Sequence, residues 1–158
     1  MKKSCCSPGF TLVELLIVIA IIGVLLAAGI PSYQQYVMSA RFTEIKRAAA
    51  PFKLAMEAAV MLGKVKGSSD QDIINALNGG SFGIPADIAV YDSEYVSSIT
   101  TASGVITVTA KNFPENIAAG SPTYKLTAQS INNLGHIIYD SSTNDSARGT
   151  CYSAGLCD

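Results

Sequence analysis

One acid, Glu14, stands inside an otherwise apolar stretch that runs from Phe10 to Ile30. At about 1.5 Å per residue those 21 residues reach roughly 30 Å, the thickness of one bilayer core. A carboxylate in such a segment costs roughly 2.5–3.5 kcal/mol at a helix centre and less near an end, so it usually has a partner. The preceding run Ser7–Glu14 (SerProGlyPheThrLeuValGlu) offers one, because a cut after Gly9 would create a cationic α-amine at Phe10. That amine on one molecule can pair with Glu14 on the next. The pattern points to a subunit built to polymerise.

Residues Gly9 to Tyr33 (GFTLVELLIVIAIIGVLLAAGIPSY) closely resemble the N-terminus of type IV prepilins. Leader, Gly-Phe junction, Glu14 and apolar run stand in the expected order, with Gly23 and Pro31 inside it. The likeness weakens along an amphipathic continuation to about Leu62, where Pro51 matches a helix-bending proline common in the family. Beyond that, only the architecture and a C-terminal cysteine pair look similar. The resemblance implies that residues 1–9 are a leader removed by an inner-membrane aspartyl peptidase that also methylates the new terminus. Cleavage then falls between Gly9 and Phe10, and Phe10 carries the N-methyl group. It also implies that residues 10–30 form a transmembrane and fibre-core helix in which Glu14 and Pro31 serve assembly.

Two other readings of the apolar segment are weaker. A secretory signal peptide normally has a shorter apolar region with its basic residues immediately before it, and an acid so early is unusual. The small residues Ala27, Ala28 and Gly29 could still mimic its cleavage site. In a plain single-pass anchor, Glu14 would snorkel to the near interface. Flanking charge does not fix the orientation, since Lys2 and Lys3 precede the segment while Arg41, Lys46 and Arg47 follow it.

Four cysteines fall into two pairs. Cys5 and Cys6 lie in the leader and would leave with it. Cys151 and Cys157 flank TyrSerAlaGlyLeu, a spacing that a local disulfide can close, with no histidine or third cysteine nearby to suggest zinc. By loop entropy so short a ring contributes roughly 2 kcal/mol. A disulfide there places the C-terminal side in an oxidising compartment and so argues that it faces outward.

Pro31 removes a helical hydrogen bond and costs about 3 kcal/mol, and Gly23 and Gly29 add about 1 kcal/mol each. Gly23–Pro31 is therefore the softest part of the helix. A simple kink at the membrane exit and, as the family implies, a stretch that loses helicity in the fibre both fit.

Residues 31–62 read as an amphipathic helix. Ile45, Ala48, Phe52, Met56 and Ala59 recur at helical spacing, Pro51 should bend the helix, and Gly63 should stop it. Phe10–Leu62 is then one bent helix of roughly 80 Å. Residues 63–158 read as a globular head. Within it, Ser69 can cap a short helix through Leu77, with Asp70 and Asp72 in its first turn. Strands are expected at Tyr95–Thr101 and Val105–Ala110 around a Ser103-Gly104 hairpin, then at Thr123–Ser130 and His136–Tyr139. On the third, Tyr124, Leu126 and Ala128 share one face while Lys125, Thr127 and Gln129 share the other. The fold class is therefore α+β: a long bent N-terminal helix on a four-stranded antiparallel sheet, closed by a disulfide-bounded loop.

Chemistry has little to stand on. His136 is the only histidine and has no adjacent nucleophile motif. Asp140, Asn144 and Asp145 do not have EF-hand spacing, so no metal and no cofactor are expected. Asn144-Asp145-Ser146 fits a glycosylation sequon, but a three-residue match is cheap. The net charge is −1, and loss of Lys2 and Lys3 takes the mature side chains to −3. That argues against general nucleic-acid binding, which wants a basic face, although Lys111, Lys125 and Arg148 could still form a local patch. The chain reads as a structural protein and not an enzyme.

The expected function is the subunit of a type IV pilus, a fibre used for adhesion, motility or DNA uptake. The expected partners are further copies of the chain, the prepilin peptidase and N-methyltransferase, and the pilus assembly machinery of the bacterial inner membrane. The subunit would sit in that membrane before assembly and in an extracellular fibre afterwards. A pseudopilin of type II secretion or a priming minor pilin shares the N-terminus, so Gly9, Phe10 and Glu14 cannot separate them. The terminal cysteine pair favours a pilin. A membrane-anchored DNA- or receptor-binding module would need a basic or aromatic patch that the sequence does not clearly show.

Overall fold

Two prolines, Pro31 and Pro51, stand inside the expected N-terminal helix, with the strong helix formers leucine and alanine shortly before Pro31 and on both sides of Pro51. The computed structural model describes residues 9–117, 120–140 and 145–157, without the side chains of Ala28, Pro31, Ser32 and Asp145. In it, α1 spans Leu12–Met61 and passes through the Pro31 and Pro51 positions with helical backbone. The chain divides into two units, Met1–Val37 and Met38–Asp158. Cys5, Cys6 and Asn144 lie outside the described residues.

In the first unit, every large apolar side chain described from Phe10 to Leu26 is 45–75% exposed. This part of α1 is apolar all round and has no core of its own to enter. A helix of that kind belongs in a membrane or among other helices. Among the described residues no helix is long and apolar enough to cross a membrane.

In the second unit the helix is amphipathic. Phe42, Ile45, Ala48, Ala49, Phe52, Met56 and Ala59 are buried on one face. They meet the strands β1 (Val96–Ala102), β2 (Val105–Ala110), β3 (Thr123–Ile131) and β4 (Ile137–Tyr139), which form an antiparallel sheet in the order β1-β2-β3-β4. Along β2, Ile106, Val108 and Ala110 are buried while Val105, Thr107 and Thr109 are half-buried, the alternation of a strand with one face on a core. Ala128 is buried on β3, and Tyr124 and Leu126 pack against the core beside it. Phe42 meets Phe113 and Tyr124 edge to face, with centroids 6.0 and 6.3 Å apart. The expected strand boundaries hold to within one residue; His136, expected to open the fourth strand, stands exposed just before β4.

The connector ahead of the sheet is more ordered than its composition suggests. Ser69 caps α2 (Asp70–Ala76) in a reciprocal box with Asp72. Asn78 then accepts the Ser103 amide at 2.9 Å, and Leu77 accepts Gly104 N–H at 3.0 Å. This anchors a hairpin turn whose two central residues both have positive φ, 49° at Ser103 and 76° at Gly104, as a two-residue turn of this hand requires. Asp87 Oδ1 accepts the Thr101 amide at 2.7 Å, and Ile88 bridges Ile99. The connector thus lies along the outer edge of β1 and covers part of it.

Lys53 ties the far edge down. Its ammonium sits 5.0 Å from the centre of the Tyr139 ring, a cation–π contact between α1 and β4. Burial, with the Glu57 charge adding to it, pushes the Tyr139 phenol well above its usual range. The ring is therefore held neutral at any physiological pH.

Candidate functional site

The residues that matter lie in two places, each described within its own unit. At the chain's beginning, Gly9, Phe10 and Thr11 precede the helix, and α1 starts at Leu12. Thr11 occupies the capping position and Glu14 the third helical one. Glu14 Oε2 accepts the Thr11 N–H at 2.9 Å and its hydroxyl at 2.8 Å, and Thr11 Oγ1 accepts the Glu14 N–H at 3.3 Å. This is a capping box, in which the acid and the hydroxyl satisfy amides that the first helical turn leaves unpaired. Phe10 is 75% exposed, and among the described residues no atom lies within 4 Å of where a Cβ on Gly9 would stand. The Gly9–Phe10 bond therefore lies outside the helix, with no described residue packed on Gly9. Pro31 has helical backbone further along α1.

The sequence reading singled out Glu14 and missed Thr11. The signal was present, since Thr11-Leu12-Val13-Glu14 is the capping-box pattern directly ahead of an apolar run. The reading gave weight to the cost of the acid's charge and overlooked its closest available donor.

The second place is the C-terminal loop. Cys151 and Cys157 form a disulfide with Cα atoms 5.5 Å apart, within the usual span for such bonds. Both cysteines and Leu156 are buried in the core cluster, whereas Tyr152 and Ser153 between them are exposed. The segment before the bridge carries regular structure, since α3 (Asp145–Arg148) forms one helical turn there. Its position has a cause in the sheet. β4 pairs with Ala128–Ile131, and the Asp140 N–H donates to Thr127 O at 2.7 Å. Among the described residues, no strand of the sheet pairs with this edge of β3 from Thr123 to Leu126. The C-terminal segment fills it: Cys151 N–H donates to Thr123 O at 3.0 Å, and Thr150 and Thr123 exchange bonds at 2.9 and 3.1 Å. Gly149, at φ 87°, lets the backbone approach so closely that a Cβ there would collide with the Thr123 carbonyl.

Replacing Cys151 and Cys157 by serine should therefore free a sheet edge as well as a loop. Loss of the ring costs roughly 2 kcal/mol of loop entropy. The melting temperature of the purified subunit should drop by roughly 8 °C, and limited proteolysis should cut first within residues 140–158. Unchanged melting and an intact C-terminus would show that the edge pairing holds without the bridge.

His136 is exposed, and among the described residues no three His, Cys, Asp or Glu side chains are placed to hold a metal ion. What the geometry offers is an unburied apolar helix with an acid at its start, and a cross-braced head with a short exposed loop.

Comparison with known proteins agrees with this division. Residues 7–30 match the family described as the prokaryotic N-terminal methylation motif. The chain is 34% identical over 149 residues to the fimbrial protein EcpC of Eikenella corrodens, covering 89% of this chain and 85% of that one. It is 35% identical over 103 residues to prepilin peptidase-dependent protein D of Escherichia coli (strain K12), covering 65% and 63% of the two chains. With the type IV major alpha-pilin of Moraxella bovis it shares 42% over 72 residues, 46% of this chain and 45% of that one. The alignments with the last two thus span less than two thirds of those relatives' length.

Proposed function

Since the chain belongs to the type IV pilin family, a family of structural and non-enzymatic proteins, we propose that it is the subunit of a type IV pilus. The subunit polymerises through its N-terminal helix into a surface fibre. The observation that carries this reading is the apolar half of α1, 45–75% exposed from Phe10 to Leu26 and joined to a head whose own core is complete. Such a surface is stable in lipid or packed among other apolar helices. A chain with both options passes from the first to the second when it assembles. The inner membrane therefore holds the subunit before assembly and the extracellular fibre holds it afterwards. Glu14 and the Phe10 amine of a neighbouring subunit set the register of that transfer, and Pro31 marks where the helix can yield.

Processing by a prepilin peptidase follows from the methylation motif and from the relative named for its dependence on that enzyme. Cleavage after Gly9 and methylation of Phe10 are the specific form proposed. Electron microscopy of fibres sheared from the cells, with mass spectrometry of their subunit, tests the reading. This chain should be the principal component. Fibres that contain it only in traces would assign it to the minor or priming subunits, and its absence from any fibre would remove the proposal.

A further inference from the structure

The Glu14 carboxylate is already half occupied before any second molecule arrives. Its Oε2 takes both the amide and the hydroxyl of Thr11, and the same hydroxyl oxygen accepts the Glu14 amide. One hydroxyl can do both, since it has one proton to give and lone pairs to receive. The direction is fixed as well, because side chains on a helix lean toward its N-terminus. The acid is therefore folded back along its own chain, onto the residue that follows Phe10. Among the described residues Oε1 accepts no hydrogen bond.

We infer that Thr11 is a positioning residue for assembly, holding Glu14 Oε2 so that Oε1 is presented to an incoming ammonium group. This rests on the reading above, in which Glu14 pairs with the Phe10 amine of a neighbouring subunit. Two consequences follow from the clamp. A lone subunit can wait in the membrane, because its acid has two internal donors and does not sit bare in an apolar layer. It can then accept a partner without first breaking a bond, because the oxygen offered to the ammonium differs from the oxygen that is held. A charge-assisted pair of fixed direction recruits a partner more selectively than a freely rotating carboxylate would.

Two substitutions separate the hydroxyl from the shape. Thr11→Val keeps the branched Cβ and removes the hydroxyl, the donor to Oε2 and the acceptor of the Glu14 amide together, whereas Thr11→Ser keeps it. In cells that assemble fibres, Thr11→Val should give several-fold fewer sheared fibres at an unchanged level of processed subunit in the membrane. Thr11→Ser should stay within about twofold of the parent, since a serine hydroxyl caps as well as a threonine one. A second readout does not depend on assembly. In the processed full-length subunit held in detergent micelles, the Thr11 amide should lose about tenfold of its hydrogen-exchange protection when Glu14 becomes Val. The Glu14 amide should lose a similar factor in Thr11→Val. Normal fibres with Thr11→Val, a defect in Thr11→Ser as deep as in Thr11→Val, or a Thr11 amide indifferent to Glu14 would each overturn the clamp. Normal fibres with Glu14→Val would overturn the subunit pairing instead, so the two failures are distinguishable.

Discussion

Cells carrying Glu14→Val should accumulate processed subunit in the inner membrane and display few or no fibres. The direction of this result is what makes it useful. Removing the carboxylate makes insertion into lipid easier, by something below the roughly 2.5–3.5 kcal/mol that an acid costs at a helix centre. A protein that merely used residues 10–30 as an anchor would therefore keep its level or improve it, with no other defect. A polymer subunit would lose the one charge that can recognise a neighbour's terminus inside an apolar bundle. An uncompensated ammonium would be left buried there, which is strongly unfavourable. The head should be indifferent, because Glu14 lies in the first unit and the core cluster is built from Phe42 onward. Glu14→Gln grades the effect: nearly as harmful if charge is what matters, milder if a hydrogen bond suffices. Fibres counted by electron microscopy, beside an immunoblot of membrane fractions, decide it. Normal fibres in normal number with Glu14→Val would leave the acid as a snorkelling residue and end the pairing.

Most of the architecture could be read from the sequence because the elements state their own period. The stripe Ile45, Ala48, Phe52, Met56 and Ala59 is buried as its spacing requires, and the alternation on β2 matches the sheet. On β3, Tyr124, Leu126 and Ala128 join the core, although Lys125 and Thr127 on the other face are half-buried too. Local chemistry was legible too: Ser69 caps α2, and Ser103-Gly104 turns the first hairpin. What escaped was long-range. Asp87 holds Thr101 from 14 positions away, and the C-terminal segment replaces a missing partner on the edge of β3. No local pattern announces either, because each is set by where a strand happens to end. The cysteine spacing suggested a ring and its redox setting, but gave no hint that the ring would be buried in the core.

The second large effect is expected at the junction itself. Fibre subunits should begin at Phe10, carry one N-methyl group, and lack Cys5 and Cys6. Gly9→Val should stop processing and leave the full 158-residue chain in the membrane. Gly9 lies outside α1, and among the described residues nothing stands within 4 Å of where its Cβ would project. A valine there should therefore leave the head and the helix unchanged, and the expected cause of the failure is a peptidase that needs a small residue at this position. An uncleaved chain also has no free amine at Phe10, so it cannot supply the cation that Glu14 needs. Gly9→Val should therefore share the fibre-less outcome of Glu14→Val while differing from it in intact mass by the retained leader. Intact-mass measurement of the membrane form separates the two. Cleavage of Gly9→Val at the parental rate, or a parental chain starting near Ile30, would show that the junction is not where the enzyme acts.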